Sequence, residues 1–493
     1  MDNFNNKVIS AVKWSSLAEI IAKLIVFITS LVIARILSPE AFGVIATVTM
    51  IISFADMFSD SGFQKYIIQY EFASEKKLLQ SVVVAFWTNL GISFLMWMLI
   101  GVFSQRIAEW VGNPGLGIVI VVAGISLPLT SFSSIQIAVY RRYLDFKTLF
   151  YVRIFGVCVP LIITIPLALL GFSYWSLIIG TISGNLVNAL ILTVKSTWKP
   201  TFYYDFKVLK EMLSFSIGSL IEAMLGWLTS YIGTFIVGST LSIYYLGLYK
   251  TTMVTVNGVL AIVTIATTSV LFSSLSRLQN DDIEFKRFYL NFIKGVSFLI
   301  LPMGAGIFLY KELVTSILLG NQWIEAVPFV GIYGLMSGVT LVFAQFGSEF
   351  YRAKGRPMIS IWAQLMYLLF LVPTLIISSK AGFLALAYAT SFIKILQILV
   401  HLCIMNFVFR IHPLTFLKNA KNSILGVTCM VGLALLLKVV NSGLTWSIFS
   451  IILSLTFYLV VIYLIPSARK EFSSIINYIK FPGKAKIMVI LNK

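Results

Sequence analysis

Residues 13–34 read KWSSLAEIIAKLIVFITSLVIA, and this stretch decides the fold. A helix needs about 20 apolar residues to cross the hydrocarbon core of a bilayer. The segment has that length, and past Lys13 its charges are Glu19 and Lys23, with Ser15 four residues before the acid. Side chains four apart share a helical face, and an acid preceding a base is the favourable order for a local ion pair. Two readings stay open: a self-neutralising pair that lets the helix insert, or one wall of a polar cavity. No small-residue cleavage site follows, so the segment is expected to be an uncleaved first span rather than a signal peptide.

The same pattern recurs along the chain, at 42–62, 79–103, 116–139, 149–171, 175–194, 213–237, 246–272, 290–310, 326–348, 357–378, 382–404, 422–440 and 445–466. Of 493 residues, 59% are hydrophobic and 11% charged, against about 25% charged in soluble domains. A water-soluble globule, a disordered chain and a collagen-like fibre are excluded. The expected fold class is an all-α polytopic membrane protein of about 14 transmembrane helices. Leu37, Ser38, Gly43 and Thr47 recur as Leu241, Ser242, Gly247 and Thr251 at one fixed offset. If that echo marks a duplication, the repeat is six helices long. Two six-helix lobes around a central cavity, residues 1–195 and 196–408, are then expected. Two more helices (409–466) and a basic tail (467–493) would follow.

The net charge of +18 is a topology signal rather than a nucleic-acid footprint. Lysines and arginines crowd alternate connections: Lys65, Lys76 and Lys77; Arg141, Arg142 and Lys147; Lys195, Lys199, Lys207 and Lys210; Arg352, Lys354 and Arg356. The opposite connections carry only Arg35, Arg106, Lys311 and Lys380. By the positive-inside bias, both termini are expected in the cytoplasm of a multi-pass inner-membrane protein. No nucleic-acid partner is expected, and the basic tail is suited to anionic membrane lipids.

An ionisable group at membrane depth costs several kcal/mol unless it is paired or wet, so such groups are functional candidates. The cations are Lys23, Arg35, Arg153, Lys250 and Lys394, suited to the phosphates of an anionic substrate. The acids are Glu19, Asp56, Asp60 and Glu222, for ion coupling or for pairing with those cations. Asp60 also fits a simple cap, and Lys250 fits snorkelling to the outer surface. Ser219, Glu222, Gly226, Thr229 and Gly233 form one stripe on span seven, which packing through small residues explains except for the acid. Asn185 and Asn188 share a face of span six. With His401 and His412 as its histidines, no CxxC, no GxxxxGK[ST] and no GxSxG, the chain is expected to hold no metal or cofactor and to be no enzyme.

Several segments together resemble polysaccharide exporters of the Wzx type. They are Lys13-Trp14-Ser15, Leu31 to Gly43, Ala55 to Phe63, Ile67-Ile68-Gln69, and Arg142 to Phe146. The set continues with Val270-Leu271-Phe272, Ser276 to Gln279, Gly320 to Trp323, Ala326-Val327-Pro328 and Ala353 to Arg356. The similarity is nearest to the branch exporting colanic and teichuronic acids, within the multidrug/oligosaccharidyl-lipid/polysaccharide flippase superfamily. It implies translocation of an undecaprenyl-pyrophosphate-linked oligosaccharide by alternating access, coupled to an ion gradient. A polysaccharide polymerase and co-polymerase are implied partners, and a monomer is the implied state. Arg35, Asp56 and Asp60 stand within matching motifs. The Gly247-Leu248-Tyr249-Lys250 turn departs from the Gly-Tyr-Asn-like turn of the family. Rival readings are a cation-coupled drug exporter of the same superfamily and a membrane enzyme acting on lipid-linked sugars.

Overall fold

The computed structural model describes residues 2–60, 62–196, 198–441 and 443–469. Every regular element among them is helical. In chain order these are α1 (Asp2–Ile36), α2 (Pro39–Asp60), α3 (Phe63–Gln69), α4 (Glu75–Trp110), α5 (Gly117–Ala123), α6 (Ser126–Arg142), α7 (Phe146–Leu169), α8 (Tyr174–Lys195), α9 (Phe206–Thr240) and α10 (Ile243–Arg277). There follow α11 (Asp282–Leu309), α12 (Lys311–Leu318), a 3-10 turn (Asn321–Ala326), α13 (Val327–Thr340), a π-helical stretch (Leu341–Gln345), α14 (Gly347–Ala353), α15 (Pro357–Lys380), α16 (Phe383–Phe392), α17 (Lys394–Phe407), α18 (Pro413–Val440) and α19 (Leu444–Leu464).

Fourteen stretches of the described residues are long and apolar enough to cross a membrane, so the chain is an all-α, multi-pass membrane protein. Polar side chains cap the starts of several helices. Asp145 accepts from the Thr148 amide at 3.1 Å, Asp205 from the Lys207 amide at 2.8 Å, and Asp281 from the Ile283 and Glu284 amides at 3.1 Å. Each satisfies donors that a helix start leaves orphaned.

Span four departs from one continuous helix. It breaks between α5 and α6, where the missing N–H of Pro128 would have met the Gly124 carbonyl, and the Leu127 amide donates there instead at 2.9 Å. Spans ten and twelve are likewise segmented, the latter at Ile393, so that Lys394 opens α17. The connection after span two holds the short helix α3. Gly62 turns the chain into it at φ +80, and a Cβ there would meet the Ser219 Cβ at 2.9 Å, so only glycine suits the position.

The chain divides into two compact units, Met1–Thr251 and Thr252–Lys493. In the first, one apolar cluster joins Phe63, Tyr66 and Ile67 of α3 to Val82 and Phe86 of α4, Trp198 and Met212. Burial in this cluster pushes the Tyr66 phenol up to about 12. The α3 carbonyls that end the short helix are held by Arg142, whose guanidinium donates to Ile67 O at 2.7 Å and Tyr70 O at 2.9 Å. A second cluster links Val44, Val48 and Ala55 of α2 to Ile100, Ile120, Leu127 and Ile178.

In the second unit α18 and α19 are tied to α11 by buried polar contacts as well as apolar packing. Ser423 donates to Ser297 O at 2.7 Å and Tyr458 to Phe298 O at 2.9 Å, beside a cluster of Phe298, Ala305, Met430 and Ile462. Between spanning helices such hydrogen bonds matter because lipid supplies no hydrophobic drive for association.

Candidate functional site

Two polar cavities open within the first unit, and they share Asp56 and Gln64. The smaller holds about 220 Å³ and is walled by Ser59, Asn89, Thr130, Ser131, Ser133, Ser134, Asn185 and Asn188, with Arg141 also on its lining. Serines and asparagines on α2, α4, α6 and α8 supply this wall. Asp56 is a little exposed near the end of α2, and the Thr130 hydroxyl lies 3.1 Å from its Oδ1. Asn89 is fully buried, and its amide donates to the Ser134 hydroxyl at 2.6 Å. Asn188 is seated over Gly156, where a Cβ would come within 2.9 Å of the Asn188 Cγ.

The larger cavity, about 460 Å³, lies among α2, α3 and α9. Lys65 of α3 and Glu222 of α9 meet on its lining at 2.8 Å, the lysine about half and the glutamate about two-thirds exposed. Trp227 completes the wall, its indole N–H 3.1 Å from the Ser53 hydroxyl and its ring 4.8 Å from that of Phe54. Such a pair in contact with solvent is a weak tie, worth about 0–1 kcal/mol.

The other expected residues fall into three settings. Glu19 and Lys23 form the local pair read from their spacing, at 2.9 Å, and Arg153 of α7 joins Glu19 at 3.9 Å. All three are about half exposed. Lys250 lies with its Nζ 4.7 Å from the Tyr231 ring centroid. In the second unit Lys394 lies 4.3 Å from the Tyr333 ring, whose hydroxyl is 3.4 Å from the Asn257 amide. Neither ammonium has a carboxylate partner among the described residues, so both charges are held by aromatic faces. Arg35 is exposed in the last turn of α1 and lines neither cavity. The backbone of Asp60 ends α2, but its side chain lies outside the described residues, as do residues 470–493 of the basic tail. Among the described residues, no group of His, Cys, Asp and Glu could hold a metal ion.

Sequence reasoning placed Asp56 and Glu222 but missed Lys65, Gln64, Arg141 and the hydroxyl wall. The available signal was the run Ser126 to Ser134 in a membrane span, with Asn185 and Asn188 on one face of the next but one.

The family model described as "Polysaccharide biosynthesis protein" matches residues 32–328. The succinoglycan biosynthesis transport protein ExoT of Rhizobium meliloti (strain 1021) is 23% identical over 83% of this chain and 81% of its own. The lipopolysaccharide biosynthesis protein WzxC of Escherichia coli (strain K12) is 21% identical over 77% of this chain and 76% of its own. Among solved structures, the lipid II flippase MurJ in an inward closed conformation superposes with a TM-score of 0.73 at 16% identity, covering 92% of this chain and 98% of that one. That likeness concerns the fold. The match over residues 32–328 is the stronger finding, and by it this chain belongs to the polysaccharide biosynthesis protein family.

Proposed function

We propose that this chain is a flippase for a lipid-linked oligosaccharide, carried on undecaprenyl pyrophosphate, and moves it from the inner to the outer leaflet of the cytoplasmic membrane. Alternating access, driven by an ion gradient, supplies the direction. The carrying observation is a wall of hydroxyls and carboxamides on spanning helices, around Asp56, in a chain of this family. Hydrocarbon-facing spans have no use for such a wall, since every buried polar group without a partner is unfavourable. A polyhydroxylated headgroup passing through the span does.

The remaining residues take complementary parts. Lys250 and Lys394 rest on tyrosine faces, which leaves the ammonium charge uncancelled for a diphosphate. Lys23 and Arg153 share Glu19, and an ionic triad on spanning helices is least costly where the face is wet. Arg35 guards the far end of α1. Asp56 is the candidate for ion coupling, Asp60 its neighbour one turn on, and Glu222 exchanges partners with Lys65 as the path opens. In this reading both termini are cytoplasmic, residues 1–195 and 196–408 work as six-helix lobes, and 409–466 and 467–493 are additions to them. The chain acts as a monomer beside a polymerase and co-polymerase.

The test is translocation in liposomes. Purified protein should move a lipid-linked glycan between leaflets without changing it chemically, faster under a proton or sodium gradient. A chemically altered product would make the chain an enzyme, and no movement would remove the proposal. Asp56→Asn should flatten the gradient dependence.

A further inference from the structure

We infer that the smaller cavity of the first unit is a binding subsite for a single pyranose ring, reading its hydroxyls one by one. This rests on the flippase reading above and adds where and how the glycan is recognised.

The evidence is a set of oxygens that the protein itself leaves unanswered. Ser59 Oγ, Asn89 Oδ1, Ser131 Oγ and Asn188 Oδ1 are buried and have no hydrogen-bond partner. All four residues line the cavity. Three of them, Ser59, Asn89 and Ser131, are at least nine-tenths buried, at 1%, 0% and 2% exposure. Buried polar atoms in folded proteins are almost always paired, so four unanswered oxygens on residues that line one space give its wall hydrogen-bonding capacity that the protein itself does not use. These oxygens are also held in place. Asn89 commits its N–H to Ser134, which leaves the carbonyl oxygen turned elsewhere. Asn188 has its amide against Gly156, which has no side chain to displace it.

The chemistry of the lining chooses the ligand. Two fixed amide oxygens and the Asp56 carboxylate accept hydrogen bonds, and the serine hydroxyls give or accept them. Gln64, Asn185 and Arg141 bring N–H donors to the same space. A bare cation uses oxygens and is repelled by such donors, whereas vicinal hydroxyls use both kinds of group at once. Size agrees. A cavity of about 220 Å³ has room for about seven waters at roughly 30 Å³ each. That is enough for one hydrated sugar ring, and it is below the roughly 300–1,000 Å³ of sites for drug-sized ligands. The adjoining space of about 460 Å³ shares Asp56 and Gln64 and offers the Trp227 indole, stacked near Tyr231 at 5.7 Å. An aromatic face there suits the next ring of the chain.

The experiment uses the full chain in nanodiscs and follows thermal unfolding by intrinsic tryptophan fluorescence. The probes are glucose, galactose, N-acetylglucosamine and glucuronic acid, with glycerol at equal mass as the control for general co-solvent effects. Sodium chloride is compared separately with choline chloride. At least one sugar should raise the unfolding temperature beyond the glycerol effect. That excess should vanish in Asn89→Ala and Asn188→Ala, or need at least tenfold more sugar. Each excess is measured from the variant's own ligand-free unfolding temperature, since Asn89→Ala also removes the hydrogen bond to Ser134. The subsite is refuted if no sugar exceeds glycerol, if both variants keep the full excess, or if sodium alone gives the shift. Polymer export in a strain lacking its own copy separates the two readings. Failure of the unaltered chain to restore polymer sinks the flippase reading. Full restoration by Asn89→Ala and Asn188→Ala sinks only the subsite.

Discussion

Gly43 and Gly247 hold two helix starts together by a reciprocal contact: a Cβ on Gly43 would strike the Ile243 carbonyl, and one on Gly247 would strike the Pro39 carbonyl. The sequence offset that carries Gly43 onto Gly247 also carries Pro39 onto Ile243. Each echo segment therefore offers the other the same surface, as the two halves of an isologous interface do. The contact is backbone on backbone, so no side chain can yield. Gly43→Ala and Gly247→Ala should each lower stability by about 1–3 kcal/mol through overpacking. Gly226→Ala on α9, where a Cβ meets nothing within 4 Å, should be neutral or gain about 0.5–1 kcal/mol as a helix glycine replaced. Thermal unfolding in detergent compares the three.

Arg142 should be irreplaceable by lysine. Its Nη1 donates to both the Ile67 and Tyr70 carbonyls while the guanidinium lies 4.9 Å from the Phe72 ring. Loss of hydrogen bonds from a charged donor costs about 1.5–3 kcal/mol, and an ammonium cannot lay a planar group on the Phe72 ring as the guanidinium does. Arg142→Ala and Arg142→Lys should both expose the 70–74 connection to limited proteolysis, with α4 intact below it. Equal cleavage of variant and wild type would contradict this.

For Lys65 and Glu222 a split between stability and transport is expected. The pair is half to two-thirds exposed, so Glu222→Gln should change stability by less than about 1 kcal/mol. Export should nevertheless fall severalfold, since the pair joins α3 to α9 beside the larger cavity. The charge swap Lys65→Glu with Glu222→Lys should recover most of it. A swap as weak as the single variants would show that the pair itself is not the functional unit.

Lys394 should matter for its charge rather than its packing. Lys394→Ala and Lys23→Ala are expected to abolish polymer export while the protein still inserts, and Lys394→Arg should retain part of it. Tyr333→Phe keeps the aromatic face under Lys394, so it should retain transport that Tyr333→Ala loses. Surface polymer and membrane abundance, measured together, decide each case.

The spans were legible because hydrophobic length is a local property, and so was the Glu19–Lys23 pair, which needs only a spacing of four. The break before α6 was half legible: Pro128 was visible, but spanning helices often absorb a proline, and only the three-dimensional helix shows that Gly124 ends one segment. The functional wall was not legible. Lys65 reads as one more loop cation until the fold brings Glu222 to it from 157 positions away. Ser131 and Ser133 lie two apart in one span, and no spacing rule says that Ser133 answers its own helix while Ser131 stays without a partner.

Those unanswered oxygens also bear on exclusion. A lining built to meet hydroxyls penalises any ring that lacks one, because the lining atom stays desolvated and alone. Deoxygenated or fully acetylated glycans should therefore stall at the entrance although they are smaller or greasier. The cavity beside Asp56 would then act as proofreading, admitting only repeat units whose oxygenation is complete.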